Sequence, residues 1–114
     1  MEPFMFKPVI FSLAAFAASL ATSASAAEHE ILFVEGGFFP AVTYLAAGDV
    51  VTFTNLTDST VEAEAGDESW QTGQLNVNAT YTLTVTAATG LAFAYATDPE
   101  KSGALSFDPA PINN

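Results

Sequence analysis

From residue 27 onward, apolar and polar residues alternate, most strictly over Tyr81-Thr82-Leu83-Thr84-Val85-Thr86. A period of two puts Tyr81, Leu83 and Val85 on one face of an extended chain and the threonines on the other, the pattern of a half-buried strand and not of a helix. All these types except Leu also favour a pleated backbone. The alternation returns with Val51 and Phe53 against Thr52 and Thr54, with Leu91, Phe93 and Tyr95 against alanines, and with Leu105 and Phe107 around Ser106. Strands are predicted over residues 30–35, 43–46, 50–55, 60–65, 80–86, 91–96 and 104–107. Between them stand Gly36-Gly37, Ala47-Gly48-Asp49, Thr57-Asp58-Ser59, Gly66-Asp67, residues 76–78, Gly90 and residues 99–103, whose types suit chain reversals. Short strands at this spacing predict an all-β domain, either a two-sheet sandwich or a small barrel.

The start of the chain follows a different pattern. Residues 9–20 form an apolar run interrupted only by Ser12 and Ser19, with Lys7 ahead of it and Ala21-Thr22-Ser23-Ala24-Ser25-Ala26-Ala27 behind. That is the order of a secretory signal, with small residues at Ala24 and Ala26 marking cleavage after Ala26. The run is about a dozen residues long, short of the roughly 20 a membrane span needs. The predicted organisation is a signal peptide over 1–26, one domain over 27–107 and a frayed tail over 108–114. Its destination is the periplasm or the exterior of a bacterium, with no membrane attachment once the leader is removed.

Composition narrows the function classes. The 114 residues contain no cysteine, so the domain folds without disulfides and carries no lipidated cysteine. Thirteen Asp and Glu against two Lys and Arg give a formal net charge of −11, and Lys101 is the only Lys or Arg beyond position 26. Such a surface repels nucleic acid and anionic membranes and favours basic partners. One histidine, His29, and no cysteine leave no nucleophilic triad or metal-assisted hydrolytic motif, and we expect no enzymatic activity.

A collinear set of motifs goes further than fold class. Phe39-Pro40 is followed by Leu45-Ala46-Ala47-Gly48-Asp49-Val50-Val51-Thr52-Phe53-Thr54-Asn55, then by Trp70-Gln71-Thr72-Gly73-Gln74-Leu75, by Gly90, Phe93 and Tyr95, and by Gly103-Ala104-Leu105-Ser106-Phe107. In order and spacing this resembles small cupredoxins of the plastocyanin, amicyanin and pseudoazurin kind. The resemblance implies a Greek-key β-sandwich and a copper end held by two imidazoles, a thiolate and an axial thioether. At the positions it implies for ligands the chain has Val61 for the first His and Thr97 for the Cys, Asp98-Pro99 only loosely echoes His-Pro, and Lys101 stands near the Met. The segment 97–103 is also shorter than the family's ligand loop. The alternation of Val61, Ala63 and Ala65 against Glu62 and Glu64 predicts that Val61 points inward. We therefore expect no cofactor and no type 1 copper.

What remains are candidate contacts. Glu62, Glu64, Asp67 and Glu68 form the densest acidic group, either plain solvated surface or a face that docks a basic periplasmic protein. Trp70, which the resemblance places near the vacated metal end, either packs in the core or anchors a partner. Adjacent Phe38 and Phe39 point to opposite faces of an extended chain, which exposes one of them unless a bulge hides both. Asn55-Leu56-Thr57 and Asn78-Ala79-Thr80 match the glycosylation pattern, which means little in a bacterial protein. Cleavage after Ala26 would also leave a chain starting Ala27-Glu28-His29. A third-position His, a free amine and two backbone amides form a square-planar nitrogen site of the kind Cu(II) prefers, which makes copper handling the alternative function.

Overall fold

The computed structural model of the protein describes residues 26–112. The expected signal peptide falls outside the described residues except at Ala26, as do the last two residues of the expected tail. The described residues form strands and no helix: β1 (Glu28–Val34), β2 (Gly37–Phe39), β3 (Val42–Tyr44), β4 (Val50–Asn55), β5 (Ala63–Ala65), β6 (Thr80–Thr84), β7 (Ala92–Tyr95) and β8 (Asp98–Ser106). They build two four-stranded sheets, ordered β2-β1-β4-β6 and β3-β8-β7-β5. Both sheets are mixed: β1 runs parallel to β4 and β3 parallel to β8, while the other pairings are antiparallel.

The period-two pattern explains why the sheets face each other. In β4, Val51, Phe53 and Asn55 are buried and Val50, Thr52 and Thr54 are half-exposed. Ile31 and Phe33 on β1, Leu83 on β6, Ala63 and Ala65 on β5, Phe93 and Tyr95 on β7 and Leu105 on β8 join them in the core, with Leu45, Leu75 and Val85 from the connecting segments. The alanines of β5 take little room, and Trp70 from the following loop puts its indole beside Phe53 at 5.4 Å and Phe93 at 5.6 Å. Phe38 then links Phe93 (4.8 Å), Phe33 (5.0 Å) and Tyr95 (5.2 Å), so one line of rings runs from Trp70 to Tyr95. Several of these contacts are edge-to-face, the arrangement aromatic quadrupoles favour. Gly103 lets this line close, since a Cβ there would lie 2.7 Å from the Phe93 ring.

Two local expectations are corrected. Gly37 does not belong to a turn: the β1–β2 reversal is made by Glu35 and Gly36, the latter at φ +94°, and Gly37 opens a short strand whose Phe38 is buried and whose Phe39 is exposed. Residues 99–103 are not a loop either. They belong to β8, which leaves β7 through a tight turn at Ala96 and Thr97, with Tyr95 facing Asp98. The register then slips, so that Ala94 faces Ser102 and Pro99, Glu100 and Lys101 bulge out unpaired.

Candidate functional site

Strands β1 and β4 run in parallel from one end of the sandwich to the other, and each end carries a cluster of polar groups. At the finishing end, segments that leave β1, β4 and β7 surround a cleft of about 370 Å³. Asn55, fully buried at the end of β4, positions one wall. Its Nδ2 donates to the carbonyls of Ser59 (2.7 Å) and Leu75 (3.0 Å), and its Oδ1 accepts from the Thr57 amide (2.8 Å) and hydroxyl (2.7 Å). Buried in this way, Asn55 serves as a structural hub and offers no glycan acceptor in the folded protein.

Val61, Thr97, Asp98 and Lys101, the positions where the resemblance implied ligands, all line this one cleft. Val61 is half-buried at its rim and packs against the core, bonded through its backbone to Leu75, so its inward turn is only partial. Thr97 is exposed in the β7–β8 turn. Lys101 places Nζ 5.2 Å above the Tyr95 ring and 3.9 Å from Asp98 Oδ2, a cation held between a π face and a carboxylate. The Tyr95 hydroxyl donates to the Val34 carbonyl at 2.8 Å and the Gly37 carbonyl at 3.3 Å. Burial, and after it the charge of Glu35, pushes this phenol above its usual range. Glu35 and Asp58 add further negative charge to the lining.

This donor set does not fit the metal of the fold. A trigonal copper centre needs a thiolate and two imidazoles, and the cleft offers an isopropyl group, hydroxyls, carboxylates and an ammonium. Among the described residues no three His, Cys, Asp or Glu side chains are grouped to hold a metal ion.

The opposite end is closed. Asp49, ahead of β4, accepts His29 Nε2 at 2.9 Å and the Ala46 amide at 3.0 Å on Oδ2, and the Ala27 amide at 3.1 Å on Oδ1. These three bonds, that of His29 foremost, hold its carboxyl below the usual range. Glu28 and His29 pair with Val50 and Val51 in the parallel ladder. A square-planar copper site at Ala27-Glu28-His29 would therefore have to draw both residues out of β1.

Of the acidic group, Glu62 just ahead of β5 and Glu64 on it are half-buried, and Glu68 is exposed in the turn that follows. Asp67 is used differently. Its Oδ1 accepts the Ser69 amide at 3.0 Å, and the Ser69 side chain and amide hold its carboxyl below the usual range. Glu64 and Glu68 form one wall of a second groove, of about 330 Å³, on the outer face of β7. Its floor includes Ala92, Ala94 and Ala96, and Pro99 and Ser102 stand on the other side. The aromatic candidates are corrected. Phe38 and Trp70 are buried, the Trp70 Nε1 donating to the Gly90 carbonyl at 2.9 Å, so neither presents a ring to a partner. Trp70 packs toward the start of β7, at the end away from the cleft. Asp49, Asn55 and the Ala92-Ala94-Ala96 floor were not singled out as site residues from sequence. Only Asn55, at the close of a strict alternation, carried a local signal of its burial.

No family model and no curated relative matches the chain. Among solved structures, it is similar to a purple cupredoxin from Nitrosopumilus maritimus, with a TM-score of 0.62 and 15% identity over 68% of this chain and 97% of that one. It is also similar to the copper-containing nitrite reductase NirK from Thermus scotoductus SA-01, with a TM-score of 0.60 and 19% identity over 79% of this chain. It spans 24% of that reductase chain. The fold is thus a cupredoxin-like β-sandwich, as the collinear motifs implied. At these identities the likeness extends to the fold alone.

Proposed function

We propose that this chain is an exported, non-enzymatic binding module that uses a cupredoxin-like scaffold without type 1 copper and docks a basic protein in the periplasm. The domain runs over residues 27–107, behind a leader that is cut after Ala26. The observation that carries the reading is the groove over β7. An apolar floor of alanines beside the carboxylates of Glu64 and Glu68 suits an aliphatic stem that ends in a cation, which describes a lysine or arginine side chain. Lys101, the one Lys or Arg among the described residues, is engaged with Asp98 and Tyr95. The groove thus has no cation of its own among the described residues, and a basic partner would supply one. The copper chemistry in the names of the two similar structures belongs to those proteins, and Val61, Thr97 and Lys101 supply no ligands for it here.

The test uses an extended lysine-rich peptide as probe, with a glutamate-rich peptide of the same length as control. Amide shifts in NMR should move at Ala92, Ala94 and Glu64 with the lysine peptide alone. The effect should weaken as salt rises, because exposed charges are screened within about 8 Å at physiological ionic strength. Replacing Glu62, Glu64 and Glu68 by Gln should abolish the shifts, with Asp67 left in place because it holds its own turn. Shifts that ignore both salt and these substitutions would reduce the acidic face to a solubilising surface.

A further inference from the structure

We propose that Asp49 is the seat of the new amino terminus that processing creates, so that removing the leader completes the fold with an ammonium–carboxylate contact. The inference rests on the reading that cleavage falls between Ala26 and Ala27.

The geometry is specific at both partners. Asp49 is 8% exposed, and its backbone is fixed by its own amide on the Ala46 carbonyl (3.0 Å) and by the Val85 amide on its carbonyl (2.9 Å). Its carboxylate cannot swing toward solvent without giving up Ala46 and His29. Ala27 is pinned from the other side, since its carbonyl accepts the Val50 amide at 3.0 Å, which keeps its nitrogen 3.1 Å from Asp49 Oδ1. In the unprocessed chain that nitrogen is a neutral amide with one hydrogen to give. In a chain that begins at Ala27 it is an ammonium with three, and a hydrogen bond between charged groups is roughly twice as strong as a neutral one. Removal of the leader therefore strengthens a contact that the precursor already makes as a neutral hydrogen bond. The same amine and the same imidazole would serve the Cu(II) motif at Ala27-Glu28-His29, so Asp49 competes with copper for both.

The readout is how readily the amine reacts with an acylating reagent, which pairing with Asp49 slows.

The intact mass of the exported protein fixes its first residue. Acetic anhydride labelling across pH, read peptide by peptide with Lys101 as internal reference, then follows the amine. We expect the native Ala27 amine at pH 8 to label about fivefold more slowly than the same amine in denaturant, the scale of a single exposed ion pair. Asp49→Asn should remove that protection. So should one alanine inserted after Ala26, which leaves every residue of the domain intact. A start elsewhere than Ala27 overturns the proposal at its premise. A start at Ala27 with an amine that labels alike in native and inserted chains overturns the proposal while the cleavage reading stands.

Discussion

The two ends of this sandwich hang on the same pair of strands and are built in opposite ways. Where β1 and β4 begin, the Asp49 carboxylate is bonded by Ala27, His29 and Ala46. Where they finish, carboxylates from Glu35, Asp58 and Asp98 face an open cleft with Lys101 among them. The finishing end is where the resemblance places copper, and its lining offers neither a thiolate nor an imidazole. The difference teaches that one scaffold can tie down the start of its parallel strands with side-chain hydrogen bonds and leave their finish open. The line of rings from Trp70 to Tyr95 fills the space between the sheets and reaches the cleft end through Tyr95.

The most disruptive way to test that view is to break the line. Phe53 is fully buried in β4 and touches Phe33, Trp70 and Phe93. Phe53→Ala should cost about 3–5 kcal/mol, because it loses the transfer free energy of the ring and leaves a cavity. Chemical denaturation monitored by Trp70 fluorescence would measure the loss. A cost under about 1 kcal/mol would show that the rings are replaceable and that the ends hold the sheets together.

A smaller change separates the ends. Tyr95→Phe keeps the ring in the line and removes only the hydroxyl that serves Val34 and Gly37. Leaving those carbonyls without their donor should cost about 1–2 kcal/mol. The Tyr95 phenol is raised above its usual range, so its share of stability is complete below about pH 10 and is lost as pH rises through the folded value. The variant should lack that part of the alkaline fall, while labelling of the Ala27 amine at the far end stays as in the native protein. A change in that labelling would mean that the ends communicate through β1.

How much of this was legible in the sequence depended on how local the cause was. Strand β4 was readable over its full range because Val51 and Phe53 alternate with Thr52 and Thr54 between a Gly-Asp turn and Asn55. Strand β2 was not, because Gly37-Phe38-Phe39 is too short to show a period and exists by pairing with β1. Residues 99–103 read as a turn because Pro99 and Gly103 are breakers in isolation. In the fold Pro99 lies in an unpaired bulge, and Gly103 is needed beneath Phe93. Asp49 looked like any turn residue, since the groups it clasps lie about twenty positions earlier, at Ala27 and His29. The vacated ligand positions were legible as a set, and Val61, Thr97, Asp98 and Lys101 do meet in one cleft. The alanine floor was invisible because Ala92, Ala94 and Ala96 are the blank half of an alternation whose other half is the core.

The gentlest test asks whether single substitutions at the cleft end can supply copper chemistry there. Val61 sits half-buried at the rim, so Val61→His should replace an isopropyl group that is only partly out of water. The cost should be about 1 kcal/mol, at the low end of what mutational data give for burying a polar group. A cost of 3 kcal/mol or more would show a side chain deep in the core. Cu(II) added to this variant should still give no intense visible band, because that band requires a thiolate and the chain has no cysteine. Thr97→Cys added to Val61→His supplies the thiolate and still leaves the site one imidazole short, with Lys101 holding a positive charge beside the would-be metal. Position 97 also lies in a tight turn that pairs Tyr95 with Asp98, where a ligand side chain has little freedom to aim inward. The double variant should therefore bind Cu(II) without the blue absorption of a trigonal centre. A strong blue band from it would mean that the cleft keeps the shape of a copper site, and that the two ends differ only in which side chains they carry.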